Sequence, residues 1–399
     1  MTIRQVTIVG GSVAGLRTAQ ALRRKGFDGV ITVLDADREP AIQRPALSKR
    51  FLTSPLTASD IRLHTDGDSI DVRRGVRVVG FDLNSRLLRI REGDAGADRT
   101  VPVDGLVIAT GAVARTLPLP SMPGVHVLRT LADAQSFRAD LTAGPRVVII
   151  GAGFIGSEVA SSCRNLGLDV TLVGSDAVPM SRTLGEAVGG TLVGLHRDHG
   201  TKLRLGVGVD GFVGADRVTG VRLANGEIVP ADVVLVGVGS RPAVDWLHGS
   251  GLELADGVLC RGNLAAAERI VAVGDVARWQ PLRGGSVRIE HWDNAVRQAE
   301  VAAATLIDPA AGSPYTATTM FWSDQYDCKL HLIGHSEPGD DFAVIEGGLD
   351  DRRFVGAYTK AGRLNAVLLC NQPHRLKVYR TAVENGALPA TAADGTAVG

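Results

Sequence analysis

The sequence predicts an α/β chain with two separate parallel-sheet domains and an antiparallel sheet towards its C-terminal end. Three observations carry this. "VTIVGGSVAGLRTAQAL" (6–22) recurs as "VVIIGAGFIGSEVASSC" (147–163), each a β-branched strand, a glycine turn and a helix rich in small residues. Each copy runs on into another strand, "GVITVLDAD" (29–37) and "DVTLVGSD" (169–176), which completes a βαβ unit. From about Pro314 the character changes to alternating runs, "CKLHLIG" (328–334), "FAVIEGG" (342–348), "RFVGAYT" (353–359) and "RLNAVLLC" (363–370).

Length and composition bound the reading. A chain of 399 residues accommodates two or three domains, and 45% hydrophobic residues suffice for packed cores. The formal net charge of zero argues against a general nucleic-acid or membrane-surface binder. Cys163, Cys260, Cys328 and Cys370 lie far apart in sequence, with no C-x-x-C and no metal-ligand spacing, so a reduced cytoplasmic protein without a metal is expected. The first strand starts near Arg4, which leaves no room for a signal peptide, and no apolar run approaches a membrane span.

In the first glycine turn, Gly10 and Gly15 hold their places in the G-x-G-x-x-G pattern, while Ser12 stands where the second glycine is usual. Serine is small enough for close backbone approach, and its hydroxyl can donate to a phosphate oxygen. Asp35 closes the second strand at the offset where an acid takes a ribose hydroxyl pair. "GLVIATGAVA" (105–114) is a further buried strand ending in a glycine loop, followed by the Pro/Gly-rich linker "TLPLPSMPG" (116–124). The second turn, "GAGFIG", is complete: Gly151 makes the tight turn, Gly153 lets backbone approach a pyrophosphate, and Gly156 lets helix and strand pack closely. "DVVLVGVGSRP" (232–242) matches 105–114. "RIVAVGDVARW" (269–279) ends at Gly274-Asp275, where Asp275 fits either a hydrogen bond to a ribityl chain or a helix N-cap. The tail 386–399 has little to bury and is expected to be disordered. Two dinucleotide sites in one chain suggest two cofactors exchanging electrons.

These segments resemble the two-dinucleotide-binding flavoproteins, and most closely the NAD(P)H:ferredoxin reductases that serve bacterial cytochromes P450 and ring-hydroxylating dioxygenases. The resemblance rests on "VGGSVAGL", "RPALSK" (44–49), "IATG" (108–111), "GAGFIGSE", "AVGDVA" (272–277), "RIEHWDNA" (288–295) and "FWSDQY" (321–326), in that order along nearly the whole chain. It implies FAD in the first site and a nicotinamide cofactor in the second. It implies a first domain of residues 1–115 and 242–316 split around a nicotinamide domain of 116–241, with 317–385 as a C-terminal domain covering the flavin. It puts Arg44 and Lys49 against FAD, Lys49 near the flavin ring, and Glu158 facing the nicotinamide and able to pair with Lys49. It adds Ala14, Val78, Thr110, Arg129 and Trp292 as FAD contacts, and Trp322 as the aromatic beside the isoalloxazine; core packing is the alternative for either tryptophan.

The wider family's disulfide reductases carry a redox cysteine pair after the first βαβ unit, and related peroxidases a single cysteine. Here Ile42, Gln43 and Arg44 stand there, and no cysteine precedes Cys163, so electrons are expected to leave the flavin directly. At the ribose-reading position of the second unit Gly174 replaces an acid, with Asp176 two residues on and no arginine before Arg182, which favours NADH over NADPH. The expected activity is electron transfer from NADH through FAD to a [2Fe–2S] ferredoxin, by a monomer or weak homodimer. Rubredoxin reductase, NADH oxidase or diaphorase activity on the same scaffold, or a flavin-binding interaction protein without catalysis, are the alternatives. Basic stretches at 72–77 and 374–380, with Arg288 and Arg297, are candidates for an acidic partner's docking face.

Overall fold

A computed structural model describes residues 3–64, 69–93, 96–281, 285–310, 312–337 and 339–389. Of the 386–399 tail, residues 390–399 lie outside the described residues. In chain order, β1 (Gln5–Val9) runs into α1 (Val13–Arg24) and returns through β2 (Val30–Asp35); β3 (Gly105–Ile108) comes later. The second copy is β4 (Arg146–Ile150), α2 (Phe154–Asn165), β5 (Asp169–Gly174) and later β6 (Val233–Val236). β7 (Met320–Gln325) opens the C-terminal sheet.

Contacts gather the chain into two compact units: Met1–Gln43, Ala58–Val113 and Ser240–Ala317 in one, Arg44–Thr57, Ala114–Gly239 and Thr318–Gly399 in the other. The sequence pattern suggests three. The structural reason for two is shared cores. Leu52 packs with Phe137 and Val159, which draws Arg44–Thr57 to the second unit. Met180, Leu184 and Leu192 pack with Leu330, Phe354 and Leu368, which joins the second βαβ region to the C-terminal sheet.

In the first unit a six-stranded sheet has the order Ala265–Ala267, Ile270–Ala272, β3, β1, β2, Asp71–Arg74. β1 lies between β2 and β3, parallel to both, so the chain direction away from β1 reverses there. A three-stranded antiparallel sheet, Val76–Asp82, Leu87–Glu92 and Asp98–Pro102, completes that unit's core. In the second unit the order is Lys202–Leu205, β5, β4, β6, Val125–His126, all parallel, with β4 again central. Ligands of open α/β sheets bind at such a switch point, outside the carboxyl ends of the strands. The predicted antiparallel region forms as a five-stranded sheet of β7, Cys328–Gly334, Arg363–Cys370, Arg353–Lys360 and Asp341–Gly348.

That sheet brings together two residues that the sequence separates. Cys328 and Cys370 lie on neighbouring strands with Sγ atoms 3.0 Å apart. They are buried free thiols, and the Cys328 contact, together with burial, pushes the Cys370 thiol up. Among the described residues no cluster of three or more His, Cys, Asp or Glu side chains is arranged to hold a metal ion. No described helix is long and apolar enough to cross a membrane.

The duplicated glycines repeat to within tenths of an ångström. Gly10 and Gly151 have φ of +107° and +109°. The Gly10 amide donates to Leu34 O at 2.8 Å, and the Gly151 amide to Val173 O at 2.7 Å. A Cβ at Gly15 would lie 1.9 Å from Gly10 O, and one at Gly156 1.9 Å from Gly151 O. Helix and turn therefore touch backbone to backbone. Gly156→Ala is expected to lower Tm by about 5 °C through overpacking, measured by thermal melting; an unchanged Tm would mean the helix stands off the turn.

Candidate active site

Each glycine turn leaves the first turn of its helix open. Ser12 is the N-cap of α1 and Gly153 that of α2, and neither end has a side-chain cap hydrogen bond. A Cβ at Gly153 would meet nothing within 4 Å. Both helix ends thus lack a side-chain cap, the second opens on free space at Gly153, and the positive end of a helix dipole lies behind each, an arrangement that suits phosphate. The two turns fit the pyrophosphates of two dinucleotides.

Around the first turn the structure gathers several of the expected residues. A Cβ at Gly11 would lie 2.5 Å from Asp35 Oδ2, so the Asp35 carboxylate sits directly over the turn. Gly274 (φ +76°) donates its amide to Gln298 Oε1 at 2.7 Å, and a Cβ there would lie 2.9 Å from the Ala14 Cβ. Asp275 therefore borders the start of α1. The chain continues from it into the strand Ala277–Trp279 rather than an α-helix, which removes the N-cap alternative. Trp292 begins the helix Trp292–Ile307, whose Ala295 is a further neighbour of position 274. Thr110 Oγ1 donates to Ala243 O at 2.9 Å, tying two glycine-loop segments together. Val78 lies in the apolar core with Val76 and Phe81.

Arg44, Lys49, Arg129 and Trp322 fall in the second unit, with Glu158. Glu158, on the second turn of α2, is only 2% exposed. Its Oε2 pairs with Lys49 Nζ at 2.7 Å and accepts from Ser48 Oγ at 2.5 Å. Its Oε1 accepts from Ser323 Oγ at 2.7 Å. Ser323 Oγ in turn accepts from Gln325 Nε2 at 3.1 Å. Ser162 Oγ donates to Ser48 O at 2.7 Å, so α2 also grips the backbone that carries Lys49. Both carboxylate oxygens are satisfied, which a buried charge requires. Arg44 starts the single turn Arg44–Ala46 that leads into this segment. The Arg129 amide donates to Asp133 Oδ2 at 3.0 Å, just before a Thr130–Asp133 capping box. Trp322 is half-buried on β7, and strand alternation turns it to the face opposite Ser323.

Sequence reasoning missed Ser48 and Ser323, each beside a residue it singles out. Alternation along "FWSDQ" was the signal available: Ser323 and Gln325 are the polar residues on the buried face of that strand. Losing a hydrogen bond to a buried charge costs about 1.5–3 kcal/mol. Ser323→Ala is therefore expected to destabilise the protein and to couple with Glu158→Gln by about 1 kcal/mol in a double-mutant unfolding cycle; strict additivity would show that the contact carries no energy.

In the second unit Gly174 ends β5 against the glycine turn: a Cβ there would lie 2.9 Å from the Ala152 Cβ. Asp176 comes two residues later, with Arg182 Nη2 donating to its Oδ1 at 3.0 Å. The basic docking candidates are partly neutralised within the chain. Arg288 pairs with Asp256 at 3.0 Å, Arg297 with Asp293 at 2.7 Å, Arg73 with Asp71 at 2.8 Å and Arg375 with Glu346 at 3.1 Å.

Two glycine turns that suit phosphate, each at a switch point, with Lys49 paired to the buried Glu158 after the second, mark an oxidoreductase of the double dinucleotide-fold class. The chain belongs to the pyridine nucleotide-disulphide oxidoreductase family, whose model matches residues 4–299, while residues 320–396 match the C-terminal reductase domain. It is 35% identical to rhodocoxin reductase of Rhodococcus erythropolis, over 98% of this chain and 92% of that one. It is also 35% identical to the ferredoxin reductase component of chlorobenzene dioxygenase from a Cupriavidus species, over 96% and 94%. The crystal structure of a covalent putidaredoxin reductase–putidaredoxin complex superposes with a TM-score of 0.90 at 31% identity, covering 97% of this chain and 94% of that one.

Proposed function

We propose that the chain is an FAD-dependent ferredoxin reductase that takes electrons from NADH and delivers them singly to a [2Fe–2S] ferredoxin supplying a P450 or a Rieske oxygenase. The doubled glycine turn carries this reading: one chain holds two phosphate cradles of the same geometry, one for a resident and one for an exchanging dinucleotide. The first turn, Gly10, Ser12, Ala14 and Gly15, with Asp35, Thr110 and Asp275, would hold FAD; Arg44, Val78, Arg129, Trp292 and Trp322 are assigned to FAD from the family resemblance alone. Gly151, Gly153 and Gly156, with Asp176, hold NADH.

Bound FAD supplies the exchange between two-electron and one-electron transfer. The chain's own residues orient it and set its electrostatics. Lys49 would supply a positive charge to a bound flavin, and Glu158 holds that ammonium in place. Ser48 and Ser323 fix the carboxylate by one hydroxyl on each oxygen. No thiol is expected to take part: burial pushes the Cys163 and Cys260 thiols up to about 12, and the Cys328 contact with burial pushes the Cys370 thiol up as well, away from the reactive thiolate at neutral pH. NADH is an intracellular coenzyme, so the reaction belongs in the cytoplasm, with the enzyme a monomer or weak homodimer. Anaerobic stopped-flow mixing of the reduced protein with candidate acceptors tests the proposal. Fast reduction of a [2Fe–2S] ferredoxin against slow transfer to rubredoxin is expected; preference for rubredoxin or for oxygen would reject it.

A further inference from the structure

In the second unit the end of β5 lacks the acid that its counterpart in the first unit carries. The two glycine turns align position by position: Gly10 with Gly151, Gly11 with Ala152, and Asp35 with Gly174. In the first copy Gly11 leaves room for the Asp35 carboxylate. In the second the Ala152 methyl stands against position 174, and that position has no side chain at all. Gly174 has no side chain with which to read the adenosine ribose.

The segments that carry Asp176 and Arg182 are each fastened beside this point. The Gly206 amide donates to Asp176 O at 2.9 Å and the Val207 amide to Gly174 O at 3.1 Å, which pins the Asp176 loop. The Met180 amide donates to Ala152 O at 3.1 Å, so the segment carrying Arg182 is fastened to the phosphate turn itself. Met180 holds φ of +55°, and Arg182 leaves the backbone two residues on. Its side chain is 79% exposed and pairs with Asp176. An exposed pair of this kind is weak, so either member exchanges partners readily.

We infer that Asp176 selects NADH by accepting the ribose hydroxyls and repelling a 2′-phosphate, and that Arg182 is a latent 2′-phosphate ligand which Asp176 keeps occupied. This rests on the proposed role of the second site as the NADH site. An arginine fork suits a phosphate dianion, and an adjacent carboxylate is the element that works against it. Removing the carboxylate therefore weakens one coenzyme and admits the other.

Isothermal titration of the flavin-loaded protein with NAD⁺ and with adenosine 2′,5′-bisphosphate tests this. Asp176→Asn is expected to weaken NAD⁺ and to tighten the bisphosphate about tenfold, and Asp176→Asn with Arg182→Ala to lose the second effect. If NAD⁺ weakens but the bisphosphate does not tighten, or if the gain survives removal of Arg182, the role given to Arg182 is wrong while the site stands. If Asp176→Asn changes neither affinity, the placement of the ribose at Asp176 falls, and the inference with it. Thermal melting of each variant confirms that the fold is intact.

Discussion

Replacing Lys49 by alanine is expected to slow flavin reduction by NADH about a hundredfold or more while leaving the fold nearly untouched. The two halves of that expectation come from different observations. The kinetic half rests on a cation set at the head of the short helix Arg50–Thr53, its side chain 18% exposed and its ammonium 2.7 Å from Glu158. If Lys49 serves the flavin as proposed, removing the ammonium takes away a positive charge that would favour the reduced ring. The folding half rests on the serines. With Lys49 gone, Glu158 Oε2 still accepts from Ser48 and Oε1 from Ser323. Two hydroxyl donors keep both carboxylate oxygens hydrogen-bonded, and the ammonium they lose is itself 18% exposed, so the cost is smaller than that of a wholly unpartnered buried charge. Stopped-flow absorbance and thermal melting read the two halves separately. Unchanged reduction kinetics would remove Lys49 from the mechanism, and a collapsed Tm would show that the serines do not hold Glu158.

Acid is expected to destabilise the second unit through His196, by about 3 kcal/mol between pH 6.5 and 4. This side chain is fully buried between the helix Ser181–Asp198 and the turn at Tyr326, with Nδ1 3.0 Å from the tyrosine hydroxyl and no hydrogen-bond partner at Nε2 among the described residues. Burial, reinforced by His199, lowers its pKa from 6.5 to about 4. A folded pKa below the unfolded one means that the unfolded chain takes up the proton first. Above pH 6.5 both states are neutral and nothing is lost. As the pH falls below 6.5 the unfolded state gains about 1.4 kcal/mol per unit, until the folded state also protonates near pH 4. Urea unfolding at about pH 7.5 and about pH 4.5 should show the loss, and His196→Phe should flatten it. Equal pH slopes in the two proteins would assign the acid sensitivity to other groups.

The parts of the fold that were legible in the sequence are those that depend on local pattern. Both glycine turns could be read because a tight turn and a backbone-to-backbone contact admit only glycine at positions 10, 15, 151 and 156. The strands Cys328–Gly334 and Arg363–Cys370 were visible to the residue, since each is bounded by turn residues and rich in apolar side chains. The pairing of Lys49 with Glu158 was anticipated from the resemblance. The illegible features all required register. Cys328 meets Cys370 only because Leu330 pairs with Cys370 across two strands. Ser323 reaches Glu158 only because β7 lies beside α2 with Ser323 and Gln325 inward. Arg182 returns to Asp176 through a left-handed residue, Met180, that no propensity announces. The grouping of segments into two units was hidden for the same reason: sharing of a core between segments far apart in sequence leaves no local mark.

Electrons are expected to pass from NADH to the flavin and on to the acceptor without a sulfur relay. Anaerobic titration of the yellow protein with NADH, monitored by absorbance, tests it most directly. Complete bleaching at one NADH per flavin is expected, with no further uptake of reducing equivalents. Consumption of a second equivalent would reveal a reducible disulfide in the path and contradict it.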